Sequence, residues 1–101
     1  MADPAGETVR QRLTRWLTRS ERSFEELRAA FEIPVRELEE ELRHVQKSVR
    51  GRGLRMRVEA PECLDCGFDF PGRTRKHLHP PSRCPKCKGG RIDPPRFRVV
   101  P

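Results

Sequence analysis

Cys63-Leu64-Asp65-Cys66-Gly67 and Cys84-Pro85-Lys86-Cys87-Lys88-Gly89 hold all four cysteines of the chain, in two Cys-x2-Cys pairs with seventeen residues between them. Two such pairs at that separation read as one tetrahedral metal site. Cys63, Cys66, Cys84 and Cys87 are the expected ligands, and one zinc ion the expected metal. The glycine that follows each pair suits a tight turn whose N–H groups point at thiolate sulfurs, because a residue without Cβ follows such a turn easily. Pro85 stiffens the second turn. Four ligands of one soft type leave no open position for substrate, so a structural centre is expected rather than a catalytic one.

Two disulfides are the competing reading. Residues 1–6 are short and polar, with no hydrophobic signal segment. A reducing, cytoplasmic setting is therefore expected, and disulfides are rare there. Iron is the rival metal, since rubredoxin-like knuckles share the Cys-x2-Cys-Gly and Cys-Pro-x-Cys pattern. His77 and His79 lie between the pairs, but four cysteines at good spacing leave little need for a histidine ligand.

The chain has 101 residues, is 34% hydrophobic and 37% charged, and contains ten prolines and no tyrosine. Such a composition buries little apolar surface per residue, so a metal cross-link is expected. A zinc-binding free energy of roughly 10–16 kcal/mol is enough to fold a small module. No stretch approaches a transmembrane helix in length. The net charge is +7, and all of the surplus lies in the second half: residues 51–101 carry twelve Lys/Arg against five Asp/Glu, whereas residues 1–50 carry ten of each. Four thiolates and one divalent zinc leave that half at about +5. A basic surface of this kind favours polyanions.

Residues 1–6 read as a disordered leader and residues 7–60 as a helical domain. Val9, Leu13, Trp16 and Leu17 share one helix face, with Arg10, Arg12, Arg15 and Arg19 opposite. Ser23 and Glu26 form a capping box for a second helix with Phe24, Leu27 and Phe31 on its stripe. This helix stops before Pro34, which then opens a third. Val35, Leu38, Leu42, Val45 and Val49 recur three or four apart along it, and Gly51 is available as a left-handed cap. Leu54, Met56, Val58 and Ala60 alternate with charged residues as a half-buried strand. Three helices, a basic glycine turn and a strand give the order of a winged helix. Residues 61–101 form a small β module around the metal, with Phe68–Phe70 and Arg91–Asp93 as candidate strands and residues 73–83 as a basic loop. Arg96–Val100 is expected to return and pair with Leu54–Ala60. The fold class is thus α+β, a three-helix winged-helix-like domain followed by a metal-bound β module.

The segments Val35–Val49, Arg52–Glu59, Cys63-Leu64-Asp65-Cys66-Gly67-Phe68 and Pro81-Ser82-Arg83-Cys84-Pro85-Lys86-Cys87, continuing to Pro95-Arg96-Phe97-Arg98-Val99, carry a resemblance. They look like a small prokaryotic family of predicted transcriptional regulators in which a helix-turn-helix domain is fused to a zinc ribbon. The resemblance covers nearly the whole chain after residue 7, and its specific part runs from the first knuckle to the C-terminus. It implies a cytoplasmic, non-enzymatic, DNA-binding protein.

On the DNA-binding reading the third helix enters the major groove, presenting Arg36, Arg43, His44 and Lys47. The Arg50–Arg55 turn, with Arg50, Arg52 and Arg55, acts as a wing on phosphate or the minor groove. Arg73, Arg75 and Lys76 add basic contacts from the metal module. Glu37, Glu39, Glu40 and Glu41 on the same helix oppose phosphate. They complement the helix dipole, and Glu39 stands four residues before Arg43 as an ion-pair partner. The acidic face of residues 36–47 supports a second reading: an adaptor that docks a protein partner of the transcription or translation machinery. A rubredoxin-like iron electron carrier is a third. No nucleophile pair, phosphate-cradling glycine loop or open metal position is assembled, so no catalysis is expected. The spacing of Leu38, Leu42, Val45 and Val49 is compatible with either a monomer core or a homodimer.

Overall fold

The structure is a computed structural model and describes residues 7–101; the leader expected over residues 1–6 lies outside the described residues. Helix α1 (Val9–Arg19) starts at Thr8, whose hydroxyl accepts from Gln11 N while the Gln11 side chain accepts from Thr8 N. Leu13 and Leu17 form its buried stripe. Strand β1 (Arg22–Ser23) follows, and Ser23 also caps α2 (Phe24–Phe31). Its hydroxyl accepts from Glu26 N at 3.1 Å and its own N–H donates to the Glu26 carboxylate at 2.8 Å. Glu32 closes α2 in the left-handed region at φ 52°.

Helix α3 (Val35–Arg50) begins behind Pro34, whose fixed φ of −64° suits a helix start. Leu38, Leu42, Val45 and Val49 face the core, whereas Val35 sits in the first turn and is 37% exposed. Gly51 does not supply the left-handed turn: its φ is −64°, and Gly53 takes that conformation at φ 78°. Leu54 N closes the turn onto Val49 O at 2.9 Å.

Strand β2 (Arg55–Glu59) leads into the metal module, and β5 (Arg96–Val100) returns from it. The main sheet has the order β1-β5-β2, antiparallel throughout, so β5 is central. Met56 stands opposite Val99, Val58 opposite Phe97, and Glu59 opposite Arg96. With period-2 alternation, Phe97 and Val99 are buried beneath the helices while Arg96 and Arg98 stand on the other face. Helix, strand, helix, helix and a returning hairpin make a winged-helix plan. Its hairpin tip lies at Glu59 and Arg96, and the whole metal module is inserted there. The Arg50–Arg55 turn is therefore not the wing. It joins α3 to β2 at the opposite end of the strand, where Arg55 faces Val100.

One apolar cluster unites these elements: Leu13, Leu17, Phe24, Leu27, Phe31, Leu38, Leu42, Val45, Val49, Phe97 and Val99, together with Leu78 from the metal module. Trp16 packs edge-on to Phe31 at 5.1 Å, half-buried at the core margin. In the metal module a second, two-stranded sheet pairs β3 (Glu62–Cys63) with β4 (Ile92–Asp93). Phe68–Phe70 is not a strand, because Phe70 adopts φ 48° and turns its ring inward against Cys63 and Cys84. The basic loop contains a single-turn helix, α4 (Arg73–Lys76), and Leu78 beyond it is fully buried.

Candidate metal centre

Each cysteine pair sits in the same backbone turn. In the first, Gly67 N donates to Cys63 O and Cys63 N to Phe68 O; in the second, Lys88 N donates to Cys84 O and Cys84 N to Gly89 O. The residue after each second cysteine takes the left-handed conformation. Gly67 has φ 80°, but in the second knuckle the position belongs to Lys88, at φ 65°. Gly89 answers a different need. A Cβ there would stand 2.6 Å from the Asp65 carboxylate, which pairs with Arg91 across the two knuckles at 2.6 Å. Glycine at position 89 leaves room for that bridge, which a side chain there would push aside.

These turns bring the four sulfurs together. Cys63 Sγ lies 3.6 Å from Cys87 Sγ and Cys66 Sγ lies 3.6 Å from Cys84 Sγ, with all four within 4.8 Å of one another. Zinc–sulfur bonds of about 2.3 Å in a tetrahedron place sulfurs about 3.8 Å apart, so the donor set fits one such ion. The first cysteine of each pair is buried and the second is exposed. Gly89 N donates to Cys87 Sγ at 3.4 Å. Burial opposes ionisation of Cys84, but the N–H groups of Cys87 and Lys86 outweigh it and bring the thiol down to about 7. Cys66 receives the Phe68 N–H, yet partial desolvation and the neighbouring sulfurs push it up to about 12. Four sulfurs in mutual contact cannot all ionise alone; a divalent cation among them removes that conflict.

The metal module is tied to the helical domain through Glu39. Its Oε2 accepts from Leu78 N, from His79 N at 3.2 Å and from His79 Nδ1 at 3.0 Å. Burial opposes ionisation of this carboxyl, but the Leu78 and His79 donors outweigh it and lower its pKa below the ordinary 4.5. The expected Glu39–Arg43 pair is thus replaced by a bond between domains. Glu41 is also engaged, by Arg10 of α1 at 2.9 Å.

The basic residues do not form one patch. Arg36 and Lys47 are exposed and Arg43 and His44 half-buried, all away from the Leu38–Val49 stripe. Arg75 and Lys76 are exposed on α4. Arg73 turns inward instead, donating from Nη2 to His79 O at 3.0 Å, and burial lowers its pKa. Arg50, Arg52 and Arg55 are exposed at the far end of β2. Arg52 also lines an open groove of about 400 Å³ with Arg10, Arg15 and Arg19 of α1 and Ser48 of α3. The α1 arginines were legible as a face, but nothing in the sequence places Arg52 beside them.

A helical domain carrying a zinc β-ribbon in the hairpin of its sheet is the class these features define. Residues 8–57 match the PF0610-like N-terminal domain, and residues 60–100 match the PF0610 rubredoxin-like zinc beta-ribbon domain. The chain joins these two domains in that order, and its four cysteines are arranged to bind one metal ion. The solution NMR structure of protein PF0610 from Pyrococcus furiosus is similar to it, with a TM-score of 0.73 and 28% identity over 92% of this chain and 89% of that one. No curated protein matches the chain. Among the described residues, no helix is long and apolar enough to cross a membrane.

Proposed function

We propose that the chain is a non-catalytic, cytoplasmic, DNA-binding transcriptional regulator in which zinc is structural. The observation that carries this reading is the fate of the acidic residues on α3. Glu39 is consumed by Leu78 and His79, and Glu41 by Arg10. Glu37 and Glu40 remain exposed, beside Arg36, Arg43, His44 and Lys47. The outward face of the helix is thus more basic than its sequence suggests, and its placement after α2 in a winged-helix plan is that of a recognition helix. Arg75 and Lys76 on the ribbon supply phosphate contacts from the wing position.

Fluorescence anisotropy with duplex DNA across a salt series tests the proposal. Affinity should fall steeply with salt, and replacing Arg36, Arg43 and Lys47 by Ala should flatten the log–log slope by about 0.9 for each phosphate no longer neutralised. Binding that is undetectable, or indifferent to salt, overturns it. The adaptor reading retains two specific supports: Leu64, at the first knuckle, is 56% exposed, and Glu37 and Glu40 are left outward. Exchanging Glu37 and Glu40 for Lys separates the two. DNA binding should strengthen on the first reading, whereas a docked basic protein should be lost on the second. Glu39 does not serve this purpose, because its replacement breaks the junction between domains.

A further inference from the structure

We infer that Glu39, His77 and His79 form a second metal site, which binds one divalent transition-metal ion at the junction of α3 and the ribbon. Leu78 is fully buried in the helical core, and its neighbours on either side are histidines. In extended backbone, residues two apart point to the same side, and His77 has φ −132° and ψ 132°. Burial of Leu78 therefore turns both imidazoles the other way, and their ring centroids lie 5.1 Å apart. Glu39 approaches from α3, and donor atoms of the three residues all fall within 4.8 Å of one another.

The Glu39 carboxylate is already fixed. Oε2 accepts from Leu78 N, His79 N and His79 Nδ1, while Oε1 has no hydrogen bond among the described residues. Nδ1 of His79, 3.0 Å from Oε2, is the ring nitrogen that faces the carboxylate; it is the imidazole donor for an ion shared with Glu39, its proton passing to Nε2 in the other neutral tautomer. His77 is exposed, so its ring can turn to close the donor set. Two imidazoles and a carboxylate suit Zn2+, Ni2+ or Co2+, and leave positions for water. The site differs from the cysteine centre in its donors, which are harder, and in its open coordination positions. Arg73, close to Glu39, weakens a cation there relative to the four thiolates.

The full chain, with one zinc in its cysteine centre, is titrated with Ni2+, and binding is followed calorimetrically and by the histidine ring resonances. One further equivalent should bind, broadening His77 and His79 but not His44. His77→Ala, at an exposed position outside both cores, should weaken that equivalent at least tenfold without changing the zinc content. Failure to saturate at one additional ion, equal broadening of His44, or unchanged binding in His77→Ala would each overturn the site. His79→Ala provides a second check, and retention of the second equivalent in that variant also refutes it.

Discussion

The helical domain and the ribbon solve the same problem by different means. The first buries twelve apolar side chains in one cluster, large enough to hold three helices against a sheet. The second buries Cys63, Phe70 and Cys84, with Phe68 and Ile92 at the margin, and two-residue strands. Apolar burial at roughly 25 cal/mol per Å² cannot organise so few side chains, so the metal must supply what the ribbon's core lacks. The two strategies are not segregated, however. Leu78 belongs to the ribbon by sequence and to the helical core by packing, and β5 leaves the ribbon to become the centre of the main sheet.

The largest effect should come from removing the metal. Chelation, or Cys84→Ser, should unfold the ribbon outright, a loss on the order of 10 kcal/mol. It should also lower the melting temperature of the helices, because β5 would lose its anchor. Amide exchange that accelerates only in residues 61–95, with the helical melt unchanged, would show that the two regions are independent. Leu78→Ala comes next. It should cost about 2–5 kcal/mol, registered in the helical melt although the residue lies in the ribbon; a change confined to ribbon resonances would place the seam elsewhere.

The smallest effect is at Glu39. Glu39→Gln should weaken the bridge between domains, on the order of 1–3 kcal/mol, and change the acid limb of stability. The folded pKa of Glu39 lies below its ordinary 4.5, so the unfolded chain binds its proton more readily. The contribution is complete above that ordinary value and is lost as pH falls through the lowered one. Wild type should therefore lose stability in acid more steeply than the Gln variant. Parallel acid limbs would mean that the carboxylate does not bridge the domains.

Local signals made much of this legible. The cysteine spacing, the Ser23–Glu26 capping box and the recurrence of Leu38, Leu42, Val45 and Val49 each act over a few residues, and each leaves a pattern of fixed period. What the sequence hid depends on contacts across the fold. Glu39 reads as a partner for Arg43 because four-residue spacing is visible, whereas Leu78 is 39 residues away. Leu78 itself is a lone apolar residue in a basic loop, without periodicity to mark it as core. Strand β3 has only two residues, too few to show alternation, whereas Phe68–Phe70 places apolar residues either side of a polar one as a strand does. The wing is hidden for a related reason. A Gly-Arg-Gly turn resembles a hairpin tip, and nothing local reveals that the true tip carries an entire ribbon.

That insertion bears on how fast the molecule folds as well as on how firmly. Strands β1 and β2 never meet; the sheet exists only when β5 arrives between them, and Glu59 must find Arg96 across residues 60–95. Free chain of that length pays a closure entropy that grows with the logarithm of its length. Metal binding by Cys63, Cys66, Cys84 and Cys87 collapses most of it into a preformed knot, leaving only short tethers at either end. Shortening the free segment about threefold saves about 1 kcal/mol of closure cost, enough to speed sheet assembly severalfold. Zinc thus acts on the helical domain as a lowered contact order, and metal supply becomes a kinetic control on a core that holds no metal ligand.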